Sequence, residues 1–166
     1  LPVEADPPMH GHYRRLVNPL FSPRRVAQMN DSVRRQARFY IDRFRGRGSC
    51  EFIGEFAARF PIAVFLDMFG LPLDEVEQFL AWEDDLIHEP DIDRIAAAVL
   101  AVKGYVMDVV EQRRKAPRDD LITYFVESRV DGRPATDDEI WGFCFNLYLG
   151  GLDTVTTNLG WQFRHL

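Results

Sequence analysis

A carboxylate and a hydroxyl group stand beside two glycines near the end of the chain. Gly150 and Gly151 are followed by Leu152, and then by Asp153 and Thr154. A carboxylate among apolar residues costs free energy unless it is paired with a cation, neutralised by a proton or used in chemistry. The threonine can donate to the carbonyl of Gly150 and loosen a helix, while glycines leave the backbone open to a flat ligand. This pattern indicates a site rather than plain packing.

The two glycines also have a simpler interpretation. Together they cost about 2 kcal/mol in a helix interior. A crossing point, where another helix packs against bare backbone, would explain them equally well. Asp153 would then be exposed, and Thr154 would have no role. The residues by themselves leave both interpretations open.

The elements that carry this site are predicted to be helices. A long helix begins at Thr136, which forms a capping box with Glu139. Six earlier helices are expected at about 8–17, 23–46, 53–69, 73–88, 92–115 and 119–128, with a bend at Pro61. A short strand is expected at 50–52, and two brief strands should flank a turn within 130–134. The sequence predicts an all-α fold and a single domain over 1–166.

The composition, 46% hydrophobic and 28% charged, is ordinary for a globular protein. No apolar run is long enough for a membrane span, and no leader precedes the first helix. Two cysteines without CxxC spacing give neither a disulfide framework nor a zinc site, so we expect a cytoplasmic location. The chain starts at Leu1 and stops at Leu166 inside a helical pattern. We therefore expect it to be the middle of a longer protein.

Charge is distributed unevenly along the chain. Residues 1–50 hold ten arginines and four acids, whereas residues 51–166 hold ten basic and 22 acidic residues. The basic segment could face an anionic cofactor, an acidic protein or nucleic acid, but aromatic residues do not alternate with the arginines, so nucleic acid ranks last. His10 and Arg14 share a helix face and could grip an anion. A solvated basic face is the simpler alternative.

Several segments, in chain order, resemble bacterial cytochromes P-450. Residues 6–14 resemble the start of helix C, residues 69–72 the break between helices E and F, and residues 131–139 the approach to helix I. Residues 150–154 resemble the oxygen-activation motif, and the last two segments are similar to the camphor-hydroxylating branch. The resemblance implies a fragment of that all-α fold, with helices C, D, E, F, G, H and most of I, and very short strands.

The resemblance also implies haem b as cofactor, and roles for individual residues. His10 and Arg14 would bind the haem propionates, and Gly150 and Gly151 would let the haem face and O2 approach. Thr154 would hold the oxygen by a hydrogen bond. The substrate would be a small apolar molecule, and the electron donor an acidic protein such as a ferredoxin. The remaining implied roles are proton delivery by Asp153 and contact with substrate by Asn146, Leu149 and Gly150.

The chain departs from this family in one important respect. The cysteine thiolate that binds iron lies in a Gly-rich loop, and no such loop is present. Neither Cys50 nor Cys144 is expected to replace it, so no residue is predicted as a metal ligand. Glu111 and Arg114 match the letters of a family motif but lie before the long helix, which indicates coincidence. We expect the isolated chain to be inactive and to self-associate.

Asp153 should need a partner, and His88 or Arg94 is the predicted cation. An exposed His88 without such a link is the alternative. Two other functions remain open. The chain could be a non-catalytic helical domain that binds a ligand or itself, or a magnesium-dependent enzyme similar to isoprenoid synthases. The carboxylates for that metal would be Asp84, Asp85, Glu89 and Asp91.

Overall fold

The computed structural model describes residues 4–165, which form a bundle of α-helices with one small hairpin. The helices are α1 (Met9–Val17), α2 (Pro23–Asp42), α3 (Arg59–Met68), α4 (Val76–Ile87), α5 (Ile92–Lys115), α6 (Leu121–Glu127), α7 (Asp137–Gly151) and α8 (Asp153–Arg164). Strands β1 (Arg129–Val130) and β2 (Arg133–Pro134) pair antiparallel. The predicted all-α class is confirmed. In the described part of the chain, no helix has the length and apolar character to span a membrane.

The starts of α5 and α7 follow side-chain caps that the sequence supplies. The hydroxyl of Thr136 accepts a bond from the amide of Glu139, and the carboxylate of Glu139 accepts one from the amide of Thr136. Asp91 caps α5 by accepting from the amide of Asp93 at 2.9 Å. Each cap satisfies amide groups that have no partner within their own helix. These local signals explain why the starts of α5 and α7 are predictable.

The hairpin is fastened to two helices through Glu139. Its turn contains Asp131 and Gly132, with φ of 50° and 80°, as a tight two-residue hairpin requires. The two terminal guanidinium nitrogens of Arg133 each donate to the Glu139 carboxylate at 2.7 Å. The hydroxyl of Tyr13 in α1 donates to the same carboxylate at 3.1 Å. This contact network fixes the start of α7 against α1.

Two expected boundaries are wrong. Helix α2 ends at Asp42 rather than at 46, because the following exposed residues lead into Gly46 and Gly48, which favour a turn. The strand expected at 50–52 is absent, and a π-helical segment (Ile53–Ala57) follows instead. A strand there has no neighbour to pair with. The carboxylate of Glu51 accepts the amide of Gly54 at 2.6 Å, which favours a helical start.

The expected bend at Pro61 is replaced by a change of helix type before it. The π-helical segment ends at Ala57, and α3 begins at Arg59, so Pro61 lies in the first turn of α3. A proline is tolerated there because the amide it lacks has no partner within the helix. Short 3-10 turns, Asn18–Phe21 and Leu73–Glu75, precede α2 and α4.

Helices α3 and α7 form the centre of the core. The residues of α7 from 139 to 145 are all buried, and so is half of α3. Phe65, Phe79 and Tyr148 bring α3, α4 and α7 together, with ring centres 5.5–6.0 Å apart. The hydroxyl of Tyr148 donates to the carbonyl of Phe79 at 2.7 Å. This packing holds the end of α7, where the candidate site begins.

Candidate functional site

The long helix is interrupted at Leu152, between α7 and α8. Leu152 has φ −107° and ψ −77° and is 1% exposed, so the interruption is anchored in the core. The hydroxyl of Thr154 donates to the carbonyl of Gly150 at 2.9 Å. The amides of Val155 and Thr156 both donate to the carbonyl of Leu152. The loosened turn that the sequence predicts is therefore present, including the expected threonine bond.

Bare backbone at the two glycines faces an apolar groove. A Cβ atom added to Gly150 or Gly151 would meet nothing within 4 Å in the described residues. The groove has a volume of about 460 Å³. Its lining includes Phe21, Val33, Phe60, Phe65, Asn146, Leu147, Gly150, Gly151 and Val155. The helix-crossing interpretation does not hold for this structure, because no described side chain fills the space over the glycines.

A second cavity lies against a different face of α8. It has a volume of about 590 Å³ and contains the side chain of Asp153. Glu83 contributes a second carboxyl group, and the walls include Ile53, Leu80, Thr156, Thr157 and Trp161. Asp153 and the glycines thus face two separate spaces on either side of the interrupted turn. Thr154 follows Asp153 directly in the chain, and its hydroxyl is on the exposed surface.

Comparisons with known proteins give one consistent result, although no family model matches the chain. A probable cytochrome P-450 (127A1) from Sinorhizobium fredii is 34% identical over 167 residues, covering all of this chain and 40% of that protein. A steroid C26-monooxygenase from Mycolicibacterium smegmatis is 34% identical over 164 residues, covering 95% and 41%. The crystal structure of CYP101J2 superimposes with a TM-score of 0.90 at 32% identity, covering 100% of this chain and 41% of that chain.

The chain belongs to the cytochrome P-450 family. It spans about 40% of the length of the relatives it matches. The helical order from α1 to α8 is therefore the one expected from helix C to helix I of that fold.

The residues present fit one face of the haem that the cytochrome P-450 family implies. The groove is apolar and bordered by bare backbone, which suits the face of a flat macrocycle. His10 and Arg14 are four residues apart on an exposed face of α1, and neither side chain has an ion pair or hydrogen bond within residues 4–165. These side chains are free to bind carboxylates.

Only some of the residues predicted to contact substrate line the groove. Asn146 is exposed and lines the groove beside Gly150. Leu149 is half-buried and packs against the core, so it is not part of the groove wall. Two of the three residues therefore lie at the groove.

The prediction that His88 or Arg94 links to Asp153 is wrong. The Nδ1 atom of His88 lies 3.3 Å from a carboxylate oxygen of Asp84, one helical turn away. Arg94 contacts Asp85 and Glu89. Both cations have nearer carboxylates on their own or an adjacent segment. Asp153 forms no ion pair with any residue that the structure describes.

Glu83 is a candidate site residue that the sequence interpretation missed. It is 7% exposed, and α4 buries it together with Val76 and Phe79. The sequence contains a signal for this burial, because positions 76, 79 and 83 share a helix face. Burial, followed by the negative charges of Asp153 and Asp84, raises the pKa of Glu83 to about 7. An acid that gains and loses a proton near neutral pH therefore faces Asp153.

The magnesium-dependent alternative is contradicted. Within the described residues, no group of three or more acidic, histidine or cysteine side chains could hold a metal ion. Asp84 is paired with His88, Asp85 and Glu89 are paired with Arg94, and Asp91 caps α5. Cys144 is 1% exposed, and burial raises the pKa of its thiol, as in an inert core cysteine. Cys50 is exposed and lies on the loop before the π-helical segment.

Proposed function

We propose that the protein carrying this chain is a haem-thiolate monooxygenase that activates O2 and hydroxylates a small apolar substrate. In this proposal, the chain supplies the wall that faces O2 and the substrate, and the thiolate ligand comes from elsewhere in the protein. The observation that carries the proposal is the interrupted turn at Leu152, with its open groove on one side and Asp153 on the other.

Bound haem supplies the iron at which O2 is reduced by two electrons. The chain's contribution is to hold and orient the cofactor. His10 and Arg14 bind the propionates, because an arginine can grip a carboxylate with two nitrogens and no described acid competes for either side chain. Gly150 and Gly151 keep the space over the backbone clear.

Thr154 and Asp153 control protons in the reaction. Uncontrolled water would release peroxide, so protons must arrive at a defined place. The hydroxyl of Thr154 is held by the carbonyl of Gly150 at the edge of the groove, with its oxygen lone pairs free to accept a further bond. Asp153 draws protons from the cavity behind the turn and passes them toward Thr154.

The groove favours an apolar substrate. Its walls are mainly aromatic and aliphatic, and Asn146 is the one polar side chain among its lining residues. A relative that shares this segment is named a steroid C26-monooxygenase, which acts on a largely apolar molecule. Asn146 can orient such a substrate through one polar group.

An acidic protein such as a ferredoxin is the proposed electron donor. The exposed face of α2 presents Arg24, Arg25, Arg34, Arg35 and Arg38. Positive surfaces of this kind accelerate encounter with negatively charged partners, and the rate falls with rising ionic strength. The rate of reduction should therefore fall as salt increases.

The test uses the protein that carries this chain, loaded with haem and supplied with an apolar substrate. Product and peroxide formed per O2 consumed are measured for wild type, Thr154→Ala and Thr154→Ser. The alanine variant should yield roughly tenfold less product per O2, with more peroxide, because an ordered proton path is lost. The serine variant keeps the hydroxyl and should stay near wild type. Failure of the wild-type protein to take up haem would refute the proposal.

A further inference from the structure

Glu83 is a buried acid without a partner. It is 7% exposed, and within residues 4–165 its carboxyl group forms no hydrogen bond or ion pair. The two acids that follow it are both paired, Asp84 with His88 and Asp85 with Arg94. A buried carboxylate without a cation is disfavoured, so the group takes up a proton instead.

Glu83 shares its cavity with a second carboxyl group. Glu83 projects from α4, Asp153 projects from the first turn of α8, and both line the same space. Two carboxylates facing one cavity repel each other when both are ionised. The buried carboxyl group of Glu83 is therefore the one that is favoured in its protonated form.

No described cation neutralises this pair. The titratable or charged groups that surround Glu83 are Asp84 on α4 and His88 just after it, Tyr148 on α7, and Asp153 and Arg164 on α8. His88 contacts Asp84, and Arg164 lies over the ring of Trp161 at 5.6 Å. The hydroxyl of Tyr148 donates to the carbonyl of Phe79. The charges of Asp153 and Asp84 add to burial in raising the pKa of Glu83 to about 7.

The cavity lies behind the interrupted turn. Asp153, Thr156 and Thr157 face the cavity, whereas Gly150, Gly151 and Val155 face the groove. Thr154 follows Asp153 directly and bonds back to Gly150 at the groove. A proton that enters through the cavity thus meets Glu83 and Asp153 before it reaches Thr154.

We propose that Glu83 and Asp153 form a carboxyl pair across this cavity in which Glu83 holds a proton, and that Glu83 is the positioning residue that recharges Asp153. This inference rests on the proposed function. Asp153 gives its proton toward Thr154, and the carboxylic acid of Glu83 then gives its proton to the carboxylate of Asp153. Glu83 regains a proton from solvent, so one proton moves from solvent to the groove and no electrons are exchanged.

The first test measures protonation directly in the protein that carries this chain. Infrared difference spectra over a pH series, with 13C-labelled glutamate, report the carboxylic acid form. Wild type should show one glutamate that titrates near pH 7. The signal should vanish in Glu83→Gln and move to lower pH in Asp153→Asn, because the neighbouring charge is removed. A Glu83 signal that is unchanged in Asp153→Asn would overturn the pair.

The second test measures the role of the pair in the reaction. Glu83→Gln is compared with Glu77→Gln, an exposed residue of the same helix that contacts Arg59. Glu83→Gln should lower product formation roughly tenfold and abolish the inflection of the rate near pH 7. Glu77→Gln should preserve both. An unchanged pH profile in Glu83→Gln would overturn the positioning role.

The two tests separate this inference from the proposed function. If wild type oxygenates its substrate but no glutamate titrates near neutral pH, the inference alone fails. If the Glu83 signal titrates as expected but no form of the protein oxygenates, the pair is supported, and both the proposed function and the role in proton delivery are refuted.

Discussion

The hydroxyl of Thr156 donates a hydrogen bond of 3.0 Å to the carbonyl oxygen of Ala57. In a regular helix that carbonyl would accept the amide of residue 61, but residue 61 is a proline and has no amide hydrogen. Thr156 therefore supplies the missing donor. The bond ties α8 to the π-helical segment and fixes the cavity wall beside Asp153.

Removing the hydroxyl group of Thr156 should lower the stability of the fold, because this hydrogen bond is lost. Thr156→Val keeps the shape of the side chain but leaves the Ala57 carbonyl without its donor. The free energy of unfolding should fall by about 1–2 kcal/mol, measured by urea titration of the protein that carries this chain. Thr156→Ser keeps the donor and should lose less than half of that amount. Equal stability of the valine variant and wild type would contradict this assignment.

Gly150 should show opposite effects on stability and on cofactor binding. A methyl group at this helical position meets nothing, so Gly150→Ala should raise the free energy of unfolding without haem by about 0.5–1 kcal/mol. The same methyl group enters the groove, so haem affinity, followed by absorbance, should fall.

Gly160→Ala is the matched control for this helix. Its new Cβ would lie 2.7 Å from Cδ1 of Ile53, so that side chain must move and the gain in stability should be smaller. A loss of stability in Gly150→Ala would show that the space beside Gly150 is not open in solution.

Glu139 should make stability depend on pH in the acid range. The bond from Arg133 is the largest of the effects that lower the pKa of Glu139, which falls from 4.5 to about 2. A lowered native pKa stabilises the fold above the unfolded value, and that contribution is lost as pH falls from about 4.5 through about 2. Urea titrations should show Glu139→Gln less stable than wild type at pH 7. The difference should shrink toward pH 2, and a constant difference would contradict the assignment.

The buried pair of Arg113 and Asp120 should be among the most sensitive positions in the fold. Their side chains are 3% and 2% exposed, and the Nε atom of Arg113 lies 2.5 Å from a carboxylate oxygen of Asp120. Arg113 also donates to the carbonyl of Gly70 at 2.9 Å. Arg113→Met should cost about 3–5 kcal/mol, because Asp120 is left as a buried, uncompensated charge.

Asp120→Asn in the Arg113→Met background separates this effect from loss of packing. The double variant should recover part of the loss in urea titrations. A loss that is additive with the single Asp120→Asn variant would mean that the two charges do not interact.

The isolated chain of 166 residues should self-associate. Trp161 is 56% exposed on α8, and the apolar groove beside Val155 is open. Exposed apolar surfaces of this kind promote association. Sedimentation should show dimers or larger species, and Trp161→Glu should shift the distribution toward monomer. A wild-type chain that stays monomeric at all concentrations would refute this expectation.

Local signals explain most of what the sequence could predict. The bounds of α5, the capping box at Thr136 and the hairpin turn at Asp131 depend on neighbouring residues, and the structure has all three where they were expected. The bond from Thr154 to Gly150 spans one helical turn, and it is confirmed for the same reason. The family was recognised because several such segments occur in the right order.

The remaining features differ from the expectations for separate physical reasons. The partners of His88 and Arg94 were predicted wrongly because α4 and α5 bring nearer carboxylates to them. The π-helical segment replaces the expected strand because no neighbouring strand exists to pair with it. Glu83 was missed because its neighbours Asp84 and Asp85 gave the segment the character of a charged surface. Its helical spacing with Phe79 would have shown that it faces inward.

The interruption at Leu152 gives the molecule a pivot. The side chain of Leu152 is buried in the core, while its backbone departs from regular helical torsion angles between α7 and α8. A substitution that altered how this one leucine packs would tilt α8 and reshape the groove and the cavity at the same time. The size and shape accepted by the groove could therefore change during evolution through a residue that lines neither space.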